Sequence, residues 1–475
     1  MSQFLSTNKS TLVEELHMLG EEFRSKFSVH HLQELAYQTG MIQRKRKFQA
    51  QDLVSLCVFL GQTISSESLA CLCTRLNEAT GICISAEALN KRWNERTVQF
   101  LKELFLHAFR QKICPITSLS SRFTRIRILD STSFQLPSSY ASTYRGSGGG
   151  SSESGVKIQL EYDLLSGEFM ELEVDHGVSS DAKYGQKRTK TLEAGDLALR
   201  DLGYHYIGDL EHITESEAYY ISRIRWNTQV YQKEEDGSWT LLNIEALTKD
   251  LQEGETLELP EVYIGLEYKH RTRLILYRLT QDEWDKRLAH HKKMKKKMPK
   301  AASRVNLLVT NTSPEKLPAT EVYAFYSLRW QVEVLFKTWK SVFRIHAIKP
   351  MKLERFQCHL YGQLLRLCLV ASTTYQMRRL LWEKHQKETS EFKCAYMVQI
   401  YLVRIHTVLF CTFQHPVSVL SRLFQDVSKN GKKARRYQKA TPFEILGLIE
   451  KSTAQLPIAH KICDRRKLYL SMPKM

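Results

Sequence analysis

Across residues 12–27, 30–40, 51–60, 66–80 and 86–109, apolar side chains recur at spacings of three and four, with Gly, Ser and Asn between the runs. That pattern predicts a helical region over residues 1–115. Around Cys114 and Pro115 the period changes. Residues 123–129, within RFTRIRILDSTSF, are rich in β-branched side chains and predict a strand that ends on Asp130. A flexible Ser/Gly tract follows at 146–155. Val156, Ile158, Leu160 and Tyr162 then alternate with Lys157, Gln159 and Glu161, and Met170, Leu172 and Val174 alternate with Glu171 and Glu173. With 164–167 as the turn between them, these runs predict an antiparallel hairpin.

Helix signals at 181–192 lead to a brief apolar strand at 197–199, after which Asp201 closes the strand and Gly203 permits a turn. A helix begins near Ile207, and 218–224 reads as another strand. Four further strand-like runs, 228–231, 238–242, 261–268 and 273–279, precede a helix from Gln281. A stretch as long as 225–304 exceeds any ordinary loop and reads as a β-rich insertion that is a structural unit. Residues 304–310 supply the last strand, and 326–340 a single amphipathic helix. Beyond Pro350 helices are predicted at 353–377, 396–413 and 417–424. The fold class is α/β, with a β-rich insertion and helical regions at both ends.

The 475 residues allow several domains and a sizeable core, and 43% hydrophobic with 25% charged residues is an ordinary globular balance. Lys and Arg number 69 against 51 Asp and Glu, a net charge of +18, which points to a polyanionic partner, nucleic acid before an anionic surface. The N-terminal MSQFLSTNKSTLVEEL lacks the basic and apolar segments of a secretory signal. The apolar runs at 54–60 and 364–371 are short, and the second contains Arg366, so a cytoplasmic protein without a membrane segment is expected. None of the ten cysteines forms a CxxC pair, and they read as reduced and mostly buried.

Within the predicted helix YSLRWQVEVLFKTWK, each residue turns by about 100°. Tyr326, Arg329, Glu333, Lys337 and Lys340 therefore share one arc, while Phe325, Leu328, Val332, Leu335, Phe336 and Trp339 share the next. A carboxylate can hold a divalent metal, and Arg, Lys and Tyr donate to phosphate oxygens. The same residues could equally form a solvated face with Glu333 and Lys337 as an i,i+4 pair. The spacing, Tyr, two residues, Arg, three residues, Glu, six residues, Lys, resembles the signature of the DDE transposases of the insertion sequence 4 family.

That resemblance implies a ribonuclease-H-like catalytic core at 116–224 and 305–345, interrupted by the β-rich insertion at 225–304. A helical DNA-binding domain would occupy 1–115 and a helical region 346–475. Glu333 would be the last catalytic acid, Asp130 the first, and Asp201 the second because it closes a short strand before a Gly-Tyr turn. Asp196 and Asp209 compete with Asp201 for that role. Asp130, Asp201 and Glu333 would together hold two ions, Mg²⁺ or Mn²⁺. Tyr326, Arg329 and Lys340 would contact the DNA backbone beside the cleaved phosphate, with Lys337 a further contact outside the four-letter pattern. The implied partners are DNA, as terminal inverted repeats and target, and a second copy of the chain in a synaptic complex, in the bacterial cytoplasm at the nucleoid. A hairpin intermediate on the element end is also implied.

Other basic segments are RKRK at 44–47, HHKKMKKKMPK from His290 and NGKKARRYQ within 429–439, each either a phosphate-contacting surface or a solvated one. SAEALNKRWN, from Ser85, has the look of a DNA-reading helix. Two alternatives stand beside transposition: a metal-dependent nuclease that never joins strands, and an inactive DNA-binding descendant of a transposase.

Overall fold

The computed structural model describes residues 11–44, 47–60, 64–110, 121–148, 152–204, 206–266, 269–293, 304–434, 440–448 and 460–462. Parts of each basic segment (45–46, 294–300 and 435–439) lie outside the described residues. The first helices are α1 (Leu12–Lys26), α2 (Val29–Gln38), α3 (Ala50–Val54), α4 (Leu69–Thr80), α5 (Ala86–Arg92) and α6 (Glu95–Arg110). The helix expected over 86–109 is thus two. Trp93 leaves the helical region at ψ 94°, and Asn94 accepts from Thr97 N at 3.2 Å to start the next one. Helix α3 continues as a π-helical segment, Ser55–Leu60.

The sheet opens with β1 (Ile126–Gln135), β2 (Gly155–Asp163) and β3 (Glu168–His176), the last two forming the predicted hairpin. Then come α7 (Asp181–Thr189), β4 (Leu197–Arg200), α8 (Ile207–Glu215) and β5 (Tyr219–Arg223). The insertion contributes β6 (Val230–Lys233), β7 (Trp239–Leu241), α9 (Ile244–Thr248), β8 (Thr256–Ile264), β9 (His270–Arg278) and α10 (Gln281–Lys293). Strand β10 (Val305–Thr310) returns to the core, and β11 (His460–Ile462) pairs with β8. The strand order is β3-β2-β1-β4-β5-β10-β9-β8-β6-β7.

Its first five strands, with β1, β4 and β5 parallel and β2 antiparallel, form the ribonuclease-H-like core. The insertion joins that same sheet, because β9 pairs with β10 along six residues. All six residues of β10 are buried. A buried strand with an unpaired edge would strand its backbone amides, and β9 satisfies them.

Helices α11 (Ala319–Ser327) and α12 (Trp330–Ser341) replace the single helix expected over 326–340. Between them Arg329 N donates to Tyr326 O at 3.1 Å and Gln331 N to Leu328 O at 2.9 Å, three-residue bonds that overwind the chain. Phe325, Tyr326, Leu328 and Arg329 are all buried at this junction, a wider arc than one straight helical stripe presents to a core. Beyond it α12 buries Val332, Leu335, Phe336 and Trp339 as predicted, with Trp339 edge-on to Phe169 of β3. Each such side chain contributes roughly 1.5–3 kcal/mol of burial.

The C-terminal helices are α13 (Leu353–His385), α14 (Glu391–His406), α15 (Val417–Asn430) and α16 (Pro442–Ile445). Helix α13 lies against α6, α14, α15 and the π segment, so the two ends of the chain share one apolar core. At Gly362 of α13 a Cβ would fall 2.7 Å from Cys57 O, and only glycine permits that approach. Helix α14 with its extension, Glu391–Cys411, is long and apolar enough to cross a membrane by length and composition, which the sequence reading overlooked. Here Val398, Leu402 and Ile405 are buried, and α14 packs against α13 and α15.

The cysteines are less buried than expected. Of the eight described, all free, Cys57, Cys358 and Cys394 are buried, whereas Cys71, Cys83 and Cys411 are exposed. Helix α4 buries Leu72 and Leu76, and Cys71 falls on its outer side.

Candidate active site

Strands β1 and β4 run parallel, with Ile126 opposite Leu197 and Leu129 opposite Arg200. One step further that register sets Asp130 beside Asp201. Asp130 is not the end of its strand, as the sequence suggested; β1 continues to Gln135. What ends is β4. Beyond Leu129, β1 pairs with β2 alone, so its other edge lies open and an acid in mid-strand still borders a cleft.

The end of α11, the junction after it and α12 supply the rest. Arg329 donates through Nη1 to Asp130 Oδ2 at 2.9 Å and through Nη2 to Glu333 Oε1 at 3.0 Å. Asp201 acts electrostatically on Asp130, Glu333, Arg329 and Tyr326. The three acids therefore meet around one guanidinium. The Glu333 side chain is 41% exposed and that of Asp130 17%, so the cluster faces outward through Glu333.

Burial pushes the Asp130 carboxyl up to about 6, against the opposing pull of Arg329 and with the two other acids adding to the rise. Burial likewise raises Glu333. Burial works against the charge of Arg329, yet Tyr326 and the three acids hold its pKa above the ordinary value. The Tyr326 hydroxyl, in a side chain 5% exposed, is pushed up to about 12 by burial.

Lys340, one helix length away, donates to Ser133 O on β1 at 3.1 Å and has its pKa lowered by burial. Lys337 points elsewhere, with its ammonium 5.7 Å from the Phe392 ring centroid on α14. The structure thus gathers Asp130, Asp201, Glu333, Arg329 and Tyr326, sets Lys340 along the same strand, and leaves Lys337 aside. The rival acids are engaged elsewhere. Asp196 is fully buried between Arg125 and Arg127, and Asp209 sits 3.7 Å from Arg200.

Two residues at the site escaped the sequence reading. Arg200 of β4 pairs with Ser222 of β5, so Arg223 stands at the next step, beside Asp201. Its Nε is buried without a partner among the described residues. Its position near the end of the predicted strand 218–224 was the available signal. Trp330 is 49% exposed with the Arg329 guanidinium 4.7 Å over its ring. A tryptophan off the apolar arc of an amphipathic helix was the signal there.

The family model of the transposase DDE domain matches residues 121–369. The chain is 39% identical over 466 residues to the transposase for insertion sequence element IS231E of Bacillus thuringiensis subsp. finitimus, covering 92% of this chain and 97% of that one. It is 40% identical over 462 residues to the IS231F transposase of Bacillus thuringiensis subsp. israelensis, with the same coverage of both chains. It is 32% identical over 459 residues to the IS1151 transposase of Clostridium perfringens, again over 92% and 97%. A piggyBac transposase, solved by cryo-EM as a synaptic complex with hairpin DNA, matches at TM-score 0.46 and 13% identity over 89% of this chain and 87% of that one. With a family model across the sheet and its acids, and relatives this similar over nearly their whole length, the chain belongs to the DDE transposases, enzymes that cut and rejoin DNA.

Proposed function

We propose that this transposase cuts DNA at the ends of an insertion sequence and joins those ends to target DNA, with Asp130, Asp201 and Glu333 as its catalytic carboxylates. The observation that carries the reading is that acids far apart in sequence meet around one guanidinium at an open sheet margin. DDE transposases use divalent metal ions, and the donor set fits them. Asp130 and Glu333 share one guanidinium with Asp201 close by, and burial holds the Asp130 carboxyl high, at about 6, where a bound cation would favour its charged form. Bound there, two Mg²⁺ or Mn²⁺ ions would activate water or a 3′-hydroxyl and stabilise the leaving oxygen of an in-line displacement.

The chain's own residues hold the DNA. Arg329 spans Asp130 and Glu333 and keeps a buried Nε–H without an acceptor among the described residues, a donor for a phosphate oxygen. Lys340 and Arg223 flank the acids and would take neighbouring phosphates, and Tyr326 would hold Arg329 in place. Lys337, turned toward α14, would contact DNA further from the cut. The N-terminal helices would bind the inverted repeat, and two copies of the chain would pair the two ends in the bacterial cytoplasm.

The test is incubation of the purified protein with DNA bearing the inverted repeats that flank its own gene, a target plasmid and Mg²⁺ or Mn²⁺. Joined products are expected. Cleavage without joining would make it a nuclease, and end binding without cleavage an inactive descendant.

A further inference from the structure

Backbone pairing between β1 and β4 stops at Leu129 and Arg200, so no backbone hydrogen bond couples Asp130 to Asp201. A side-chain tie on the other face of the sheet takes over. Tyr204 follows Asp201 in a 3₁₀ turn, its amide donating to Asp201 O at 3.0 Å. Its ring is 3% exposed and packs with Leu129 and Tyr184. Its hydroxyl donates to Gln159 Oε1 at 2.6 Å.

Gln159 is the register partner of Ser131, the residue after Asp130. Gln159 Nε2 and Ser131 Oγ both donate to Asp181 Oδ1, at 2.7 and 3.2 Å, and Lys157 Nζ joins them at 3.2 Å. The turn that carries Asp201 and the strand that carries Asp130 are thereby fixed to a single point, the start of α7. Buried polar networks in which the donors are matched define position more than they add stability.

We infer that Tyr204 is a positioning residue that sets the separation of Asp130 and Asp201, through Gln159 and Asp181, and with it the affinity of the site for a divalent cation. The inference rests on reading the two aspartates as metal ligands. Outer-shell partners act by fixing the orientation of metal ligands, and Tyr204 does so through the turn and the strand that carry them.

The test is Mn²⁺ binding to the full chain, without DNA, followed through the electron paramagnetic resonance of free Mn²⁺. Tyr204→Phe keeps the ring and removes the donor, and should weaken binding by roughly tenfold or more, the usual cost of a lost outer-shell partner. Its metal-free melting temperature and end-DNA binding should stay near wild type, and raised Mn²⁺ should restore its cleavage. Gln159→Met removes the nearer acceptor, leaving Asp181 Oδ1 at 3.5 Å, and should also weaken binding. Tyr184→Phe, in the same cluster but with a hydroxyl that lacks a partner among the described residues, should bind as wild type. Wild-type affinity in both Tyr204→Phe and Gln159→Met would overturn the inference, and so would an equal loss in Tyr184→Phe. Equal Mn²⁺ binding by wild type and Asp130→Ala would instead remove the metal reading of the acids, and this inference with it.

Discussion

Strand β1 carries an ionic cluster on each of its faces, because Arg127 and Asp130 lie an odd number of residues apart on a pleated strand. On the α7 side the charges are matched. Glu161 lies between Arg127 at 2.8 Å and Arg188 at 2.7 Å, and Asp196 lies between Arg125 at 2.6 Å and Arg127 at 3.1 Å. Arg127, Glu161 and Asp196 are 1% exposed or less. On the α12 side the proportion is inverted, with Asp130 and Glu333 sharing one arginine and Asp201 close by. A cluster in which each fully buried carboxylate, Glu161 and Asp196, has two guanidinium partners is complete in itself. One with surplus carboxylates at an open edge has room for cations from outside, and that difference marks the α12 side as the candidate site more clearly than burial does.

Loss of an acid from the open cluster has the largest expected effect. Asp130→Ala, Asp201→Ala or Glu333→Ala should lower cleavage of end DNA by at least roughly a thousandfold while end binding persists, since a metal site supplies several kcal/mol of transition-state stabilisation. A variant that cuts at the wild-type rate on a sequencing gel would take its residue out of the site. Removing Arg127 tests the closed cluster. Arg127→Ala leaves Glu161 and Asp196 short of a partner and should cost about 3–5 kcal/mol in urea unfolding. Its folded fraction should bind Mn²⁺ with unchanged affinity.

Acidity sharpens the contrast further. In the metal-free protein burial lifts Asp130 from 3.8 to about 6, so the folded state holds this proton where the unfolded chain has released it. The contribution of Asp130 to stability is therefore full below pH 3.8 and lost as pH rises through about 6. Asp130→Asn should be more stable than wild type by about 3 kcal/mol above that window and equal to it below, measured by urea unfolding at several pH values. A gain that persists in strong acid would assign the effect to packing. The smallest effect separates two lysines. Lys340→Ala should weaken end binding or cleavage by about tenfold, the scale of one phosphate contact, and Lys337→Ala by less. The reverse ranking would mean that Lys337, not Lys340, meets the DNA.

Much of this was legible in the chain. The hairpin of β2 and β3 followed from the strict alternation at 156–162 and 170–174, and β4 with Asp201 from a brief apolar run before Gly203. Glu333, Arg329 and Lys340 stood in a recognisable spacing. The break before α12 was not legible, since residues on either side keep the helical period and only tertiary burial of Tyr326 and Leu328 overwinds the turn. Arg223 stayed hidden because strand register, not sequence spacing, sets it beside Asp201. The continuity of the insertion with the core sheet was hidden for the same reason: β9 and β10 follow one another in the chain, but only their register shows that they pair in one sheet.

Helix α13, 33 residues long, spans about 50 Å at 1.5 Å per residue. Along it Tyr361 meets Phe105 of α6, Phe356 stacks on Tyr140 beyond β1, and the Tyr375 hydroxyl donates to Leu165 O in the turn of the β2–β3 hairpin. The amino-terminal helices are consequently no detachable cassette. A chimera that exchanged the first 115 residues for those of a distant relative would inherit a mismatched seam along α13, so lasting change in this region comes by substitution on exposed surfaces or by trading both sides of that seam together.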